Sequence, residues 1–117
     1  MPYTVEVTKT FNYPYIDVYK SLYLSVEAMK GKILVHDPDN QRFEAQMDKK
    51  LYGKYLGDRS RLEISFDTES EEQTALLITA YPVNPIGQKL MFGARKGVIP
   101  RVLEALQTEM ESRLEKE

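Results

Sequence analysis

The chain has 117 residues, of which 29% are charged and 10% aromatic, and its formal net charge is −2. This length and composition fit a single globular domain spanning 1–117 and exclude both a two-domain enzyme and a disordered chain. One His and no Cys exclude disulfides, cysteine nucleophiles and thiolate metal sites. Because no positive field, signal peptide or long apolar run is present, we expect no nucleic-acid partner, no membrane insertion and a cytoplasmic location.

The first two predicted elements are a strand and a helix. Apolar and polar residues alternate over 3–11, which predicts a half-buried strand. Asn12 is a candidate helix cap, and Pro14 suits a first helical turn. Apolar residues then recur at spacings of three and four, which predicts a helix over 14–29 that Gly31 ends.

The middle of the chain predicts an antiparallel meander. Strands over 32–36 and 42–47 are joined by the turn-forming residues of 37–40, and strands over 61–67 and 75–81 are joined by an acidic turn over 68–73. Between these pairs, 49–60 contains Gly53 and Gly57, which predicts extended backbone that is bulged or bent. Pro82 and Pro85 are expected to close the sheet region.

A long helix is predicted at the end of the chain, over 100–116. Pro100 suits its first turn. Its apolar residues recur at spacings of four, three, four and four: Ile99, Leu103, Leu106, Met110 and Leu114. The elements together predict an α+β domain of strand, helix, antiparallel meander of four to five strands, and long C-terminal helix.

Three segments carry a resemblance to a known superfamily. They are the strand-to-helix join over 11–19, the strand entry over 31–35, and the glycine-marked entry into the last helix over 92–97. The chain resembles the START-related, polyketide-cyclase-like (SRPBCC) superfamily, whose helix-grip fold wraps a curved antiparallel sheet around that helix. A sheet of five strands also matches the β-α-β4-α arrangement of TATA-binding-protein-like folds, which stays open as the alternative.

The resemblance implies a binding site for a small apolar or amphipathic molecule between the sheet and the last helix. We expect Arg95 to hold a polar head group at the mouth of this site. The residues expected to line it are Phe43, Met47, Ile64, Phe66, Ile78, Leu103, Leu106 and Met110. In a chain this short the same residues equally predict a solid core, and both interpretations stay open.

Two further features are relevant to acid–base chemistry and to anion binding. His36 is the one side chain that ordinarily titrates near neutral pH, and its place at a strand end predicts an exposed or locally hydrogen-bonded histidine. Four cations surround the entry to the last helix, Lys89, Arg95, Lys96 and Arg101, and Gly97 leads into that helix. This predicts a site for a carboxylate or phosphate, against the alternative of a solvated turn. We predict no metal and no cofactor.

Two other functions remain as alternatives to ligand binding. The first is an interaction module, most simply a homodimer, that uses tyrosines and an exposed edge or face of the sheet. Leu77 and Tyr81 favour it, because they are out of phase with the apolar residues of their strand. The second is a cyclase- or hydrolase-like enzyme. This is disfavoured because the sequence offers only generic carboxylates and tyrosine hydroxyls besides His36.

Overall fold

The computed structural model describes residues 3–90, 93–95 and 97–115. The elements in chain order are β1 (Val5–Phe11), α1 (Tyr15–Ala28), β2 (Lys32–Asp37), β3 (Arg42–Met47), β4 (Lys50–Leu51), β5 (Lys54–Tyr55), β6 (Arg59–Ser70), β7 (Gln73–Val83) and α2 (Val98–Glu115). A single 3-10 turn, Pro38–Asn40, joins β2 to β3.

One antiparallel sheet of five strands organises the fold, in the order β1-β7-β6-β3-β2. The strands β4 and β5 form a separate two-stranded hairpin between β3 and β6 in the chain. Buried residues from the sheet, α1 and α2 form one hydrophobic core. The predicted α+β class and element order are therefore confirmed, and the predicted bent segment is a small hairpin.

Helix α1 buries the expected face but begins differently from the prediction. Val18, Leu22 and Val26 are completely buried. Pro14 is the residue that precedes the first turn, and no side chain caps it. The prediction of Asn12 as a cap is wrong, because Asn12 Oδ1 accepts a hydrogen bond of 3.0 Å from Gln73 Nε2. Asn12 thus ties the start of α1 to β7.

Gly31 ends the helical segment for a reason other than backbone freedom. The left-handed residue after α1 is Lys30, with φ of 64°. A Cβ on residue 31 would lie 2.7 Å from Met47 Sδ and 2.9 Å from Val26 Cγ1. Because such distances are far below van der Waals contact, glycine is needed here for the close approach of α1 to β3.

Helix α2 buries all five residues of its predicted apolar stripe. It begins at Val98, so Pro100 lies in the first turn, where a missing N–H costs no intrahelical hydrogen bond. The last two strands are longer than predicted, because β6 has 12 residues and β7 has 11. Pro82 lies within β7, opposite Ser60, instead of ending the strand before it.

Candidate functional site

The apolar residues predicted to bind a ligand are brought together by the fold. All eight are buried, with exposed fractions between 0% and 7%: Phe43, Met47, Ile64, Phe66, Ile78, Leu103, Leu106 and Met110. They belong to the single cluster that forms the hydrophobic core. In this structure their side chains pack against one another, which is the geometry of the solid-core interpretation. Binding of a molecule among them stays a prediction.

Arg95 lies apart from that cluster, on the surface beside the hairpin. Its backbone N–H donates a hydrogen bond of 2.6 Å to Asp58 Oδ2. Its side chain covers Gly57, since a Cβ on residue 57 would lie 2.2 Å from Arg95 Cδ. Gly57 also has φ of +108°, a conformation that side-chain-bearing residues rarely adopt. Gly57 therefore lets the Arg95 side chain lie at the base of the hairpin.

The hairpin β4–β5 turns through Tyr52 and Gly53, which both have positive φ (52° and 82°). Two such residues between paired strands are typical of a type I′ hairpin. The Tyr52 hydroxyl at the tip donates a hydrogen bond to the Glu109 carboxylate on α2. Glu109 also accepts an ion-paired hydrogen bond from Arg113 one turn later. These contacts hold the tip of the hairpin against α2.

A groove of about 510 Å³ separates the hairpin from α2. We call it the hairpin groove, and the residues that line it are Leu51, Tyr52, Lys54, Leu56, Arg101, Glu104, Ala105 and Thr108. Leu51, Leu56 and Ala105 are half-buried against the hydrophobic core, so they give the groove an apolar floor. Lys54 and Arg101 add positive charge from opposite walls.

A second cleft of about 440 Å³ continues the hairpin groove towards the start of α2. The two share Leu56 and Arg101, and the second cleft adds Arg95 and Gly97. The combined surface therefore places Lys54, Arg95 and Arg101 around the apolar floor. Volumes of this size fall in the range of small-molecule sites.

The predicted anion site at the start of α2 forms only in part. Gly97 precedes the helix with φ of +86°, and its carbonyl accepts a hydrogen bond of 3.2 Å from Arg101 N–H. Arg95 and Arg101 both line the second cleft. Lys89 lies elsewhere, with its Nζ 4.3 Å from the centre of the Tyr81 ring. Lys96 lies outside the described residues.

Four of the groove residues were not assigned to a ligand site from the sequence: Leu51, Lys54, Leu56 and Ala105. The two strands of the hairpin have two residues each, which is too short for an alternating pattern to reveal. The pair Tyr52-Gly53 carried a signal, because glycine is the preferred second residue of a type I′ turn. Recognition of that turn would have placed residues 51 and 54 opposite each other.

Residues suited to other chemistry are placed elsewhere in the fold. His36 is exposed, and its Nδ1 lies 2.8 Å from the Tyr19 hydroxyl, which matches the expectation of a locally hydrogen-bonded histidine. Within residues 3–90, 93–95 and 97–115, no group of three or more His, Asp or Glu side chains is arranged to hold a metal ion. No helix in the same part of the chain is long and apolar enough to cross a bilayer.

Comparison with known proteins identifies the fold. No protein-family model and no curated protein sequence matches the chain. The crystal structure of Ara h 8.0201 is similar with a TM-score of 0.68 at 10% identity, over 97% of this chain and 95% of that one. A chain from the adenylate sensor of AMP-activated protein kinase, crystallised in complex with ZMP, is similar with a TM-score of 0.58 at 10% identity, over 89% and 94%.

The likeness to Ara h 8.0201, which has the Bet v 1-like helix-grip fold, confirms the predicted architecture. The main sheet also has the five strands that the alternative β-α-β4-α arrangement requires. At this level of identity the matches show the fold alone, so membership of the START-related superfamily stays a prediction.

Proposed function

We propose that this chain binds a small amphipathic molecule with an acidic head group in the hairpin groove. The observation that carries the proposal is the position of three cationic side chains, Lys54, Arg95 and Arg101, around the half-buried floor of Leu51, Leu56 and Ala105. This location differs from the core site implied by the superfamily resemblance, but it keeps the expected role of Arg95 at the polar end of a ligand.

The chemistry of the groove favours such a molecule over a purely apolar or a cationic one. An apolar tail on the floor gains about 25 cal/mol for each Å² removed from water. A carboxylate at the rim gains charge-assisted hydrogen bonds from guanidinium groups. Glu104 supplies one negative charge to the same surface and disfavours a second acidic group on the ligand.

Calorimetric titration with decanoate tests this proposal. We expect saturable binding to the wild-type chain, and about tenfold weaker binding to Arg101→Glu, because the reversed charge repels the carboxylate. Lys32→Glu is the matched control, since it reverses an exposed charge on β2 that lines neither the hairpin groove nor the second cleft, and it is expected to bind decanoate as the wild type does. Equal affinity for decyltrimethylammonium, or unchanged affinity in Arg101→Glu, would contradict the proposal.

A homodimer formed through the outer face of the sheet is the second candidate function. Leu77 is 43% exposed on that face. It lines a shallow groove of about 610 Å³ together with Thr8, Ser65 and Glu63. Tyr81 is less available, because its hydroxyl donates a hydrogen bond of 2.6 Å to Glu63 and Lys89 lies over its ring. Leu77 is therefore the residue on which this candidate depends.

The two edge strands of the sheet are poorly suited to pairing between two copies of the chain. A dimer is therefore more favourable through the outer face of the sheet. On β1, Lys9 is opposite Leu76 in the register and so lies on the core side of an edge strand. On β2, a register shift between Ile33 and Val35 interrupts the other edge. Inward charges and bulges are two of the devices that block edge-to-edge association.

Leu77→Lys is expected to convert such a dimer to a monomer, because the contact would bury the Leu77 side chain and burial of an unpaired ammonium group is costly. Light scattering of both proteins over a range of concentrations measures the change. A wild-type chain that is monomeric throughout, or a variant of unchanged mass, would remove this candidate. The enzymatic alternative stays a prediction.

A further inference from the structure

A separate cleft of about 320 Å³ lies between α1 and β2. We call it the aromatic cleft, and its lining residues are Ile16, Tyr19, Lys20, Tyr23, Leu24, His36 and Pro38. It shares no residue with the hairpin groove. Its size matches the lower end of small-molecule sites, which suits a molecule of one or two rings.

The cleft exposes apolar side chains that a solvated helix ordinarily lacks. Ile16 is 67% exposed and Leu24 is 40% exposed, two turns apart on α1. Solvent-facing helix positions are normally polar, and an exposed cluster of this kind marks a binding surface more often than a lone apolar residue does.

Three aromatic rings give the cleft flat walls. The His36 ring centre lies 5.5 Å from that of Tyr19 and 4.9 Å from that of Tyr23. Because Tyr19 is only 4% exposed, Tyr23 and His36 are the rings whose faces are available to a planar aromatic guest.

The contacts of the Tyr19 hydroxyl link the cleft to β2 and β3. The hydroxyl oxygen lies 2.8 Å from His36 Nδ1 and 3.4 Å from the Arg42 carbonyl oxygen. Burial raises the pKa of Tyr19 to about 12, so the phenol is protonated at neutral pH. In a neutral imidazole, donation of this proton to Nδ1 leaves the ring hydrogen on Nε2, whereas donation to the Arg42 carbonyl leaves it on Nδ1.

Lys20 is the charged side chain that lines the cleft, while the negative charge of Asp37 lies near enough to add to burial in raising the pKa of Tyr19. Lys20 contributes a cation to the lining, and no carboxylate among the described residues lines the cleft. The nearest acidic side chain along β2, Asp37, accepts hydrogen bonds from Asn40 N–H and Nδ2, at 3.4 and 2.9 Å. Lys20 Nζ is the donor that the lining offers to a guest, and His36 Nε2–H is a second donor in the tautomer in which Tyr19 donates to Nδ1.

We infer that the aromatic cleft is a second ligand site, which binds a small planar aromatic carboxylate. The rings of Tyr23 and His36 contact the guest, Tyr19 supports them from below, and Ile16 and Leu24 cover its edge. Lys20 and His36 Nε2–H bind its carboxylate. The inference is independent of the proposed function of the hairpin groove, because different residues carry it.

Nuclear magnetic resonance of the single histidine tests this inference with 2-naphthoate as the probe. His36 is the only histidine in the chain, so its imidazole signals report on the cleft without ambiguity. We expect a saturable shift of these signals, and ¹⁵N shifts that show hydrogen on Nε2 before ligand is added. Arg101→Glu is expected to leave the shift unchanged, which separates this site from the hairpin groove.

Two variants test the lining, and one serves as a matched control. Lys20→Glu and Leu24→Asp are each expected to weaken 2-naphthoate binding by about tenfold or more. Ile86→Asp puts the same charge on an exposed apolar residue after β7 that lines none of the described clefts, and it is expected to bind as the wild type does. Lys20→Glu leaves the apolar lining intact, so a loss of folding in Leu24→Asp would not obscure the result.

Several outcomes would overturn the inference. These are the absence of a shift at millimolar 2-naphthoate, an equal response to 2-naphthylmethylammonium, the opposite tautomer of His36, or undiminished binding in Lys20→Glu. A shift that follows protein concentration without added ligand would instead assign the surface to contact between copies of the chain.

Discussion

Replacing Phe43 by Ala is expected to lower the free energy of unfolding by about 3–5 kcal/mol. Phe43 is completely buried on β3, and its ring makes edge contacts with Tyr19 and Tyr23, with centres 5.9 and 6.3 Å apart. Truncation removes these contacts and leaves a cavity that the surrounding sheet cannot close. Because small domains have only about 5–15 kcal/mol of stability, urea denaturation should show a large shift of the midpoint.

The opposite change tests whether the interior has spare room. Leu106→Phe is expected to destabilise the chain by about 1–3 kcal/mol, since Leu106 is 1% exposed and an added ring has no space. Leu77→Phe, the same change on the exposed sheet face, is expected to stay within about 0.5 kcal/mol of the wild type. If Leu106→Phe is as stable as the wild type, the interior has room for an added ring and the solid-core interpretation is wrong.

The sequence predicts the helices and strands of the fold best where one face of an element is buried. The stripe from Ile99 to Leu114 and the alternation of β6 each bury a continuous apolar surface, and that burial imposes the period that the sequence displays. The prediction that Gly31 ends the helical segment is confirmed, but glycine is needed there for close packing and not for backbone freedom. Its role depends on the approach of Met47, a residue 16 positions away that no local pattern connects with it.

The sequence predicts the candidate sites less well, because each site is formed by residues that are distant in the chain and close together in the fold. The aromatic cleft needs α1 to lie beside β2, which brings Tyr19 and Tyr23 to His36 across 17 and 13 positions in the chain. The hairpin groove needs a turn of two residues and a contact between Tyr52 and Glu109, which are 57 positions apart. Tertiary packing, which no spacing rule encodes, decides both.

Glu44 shows the same difficulty in a single residue. It lies between the buried residues Phe43 and Ala45, on the outer face of β3, yet it is only 8% exposed. Its two oxygens each accept a hydrogen bond of 2.6 Å, one from Arg42 and one from Arg61. The hydrogen bond from Arg61 lowers the pKa of Glu44, although burial acts in the opposite direction. The carboxylate thus neutralises two arginines at the centre of the outer face.

Glu44→Gln is expected to lower the free energy of unfolding by about 1–3 kcal/mol near pH 7, because both arginines lose an ionised acceptor. The folded-state pKa of Glu44 is below its ordinary value of 4.5, so the stabilisation is complete above pH 4.5 and is lost as pH falls through the lower, folded pKa. Urea denaturation of both proteins from pH 7 to pH 3 should therefore show a difference that shrinks in the acid range. Glu69→Gln, on the exposed end of β6, should show little difference at any pH. A constant difference for Glu44→Gln down to pH 3 would mean that shape and packing, and not the charge, make Glu44 stabilising.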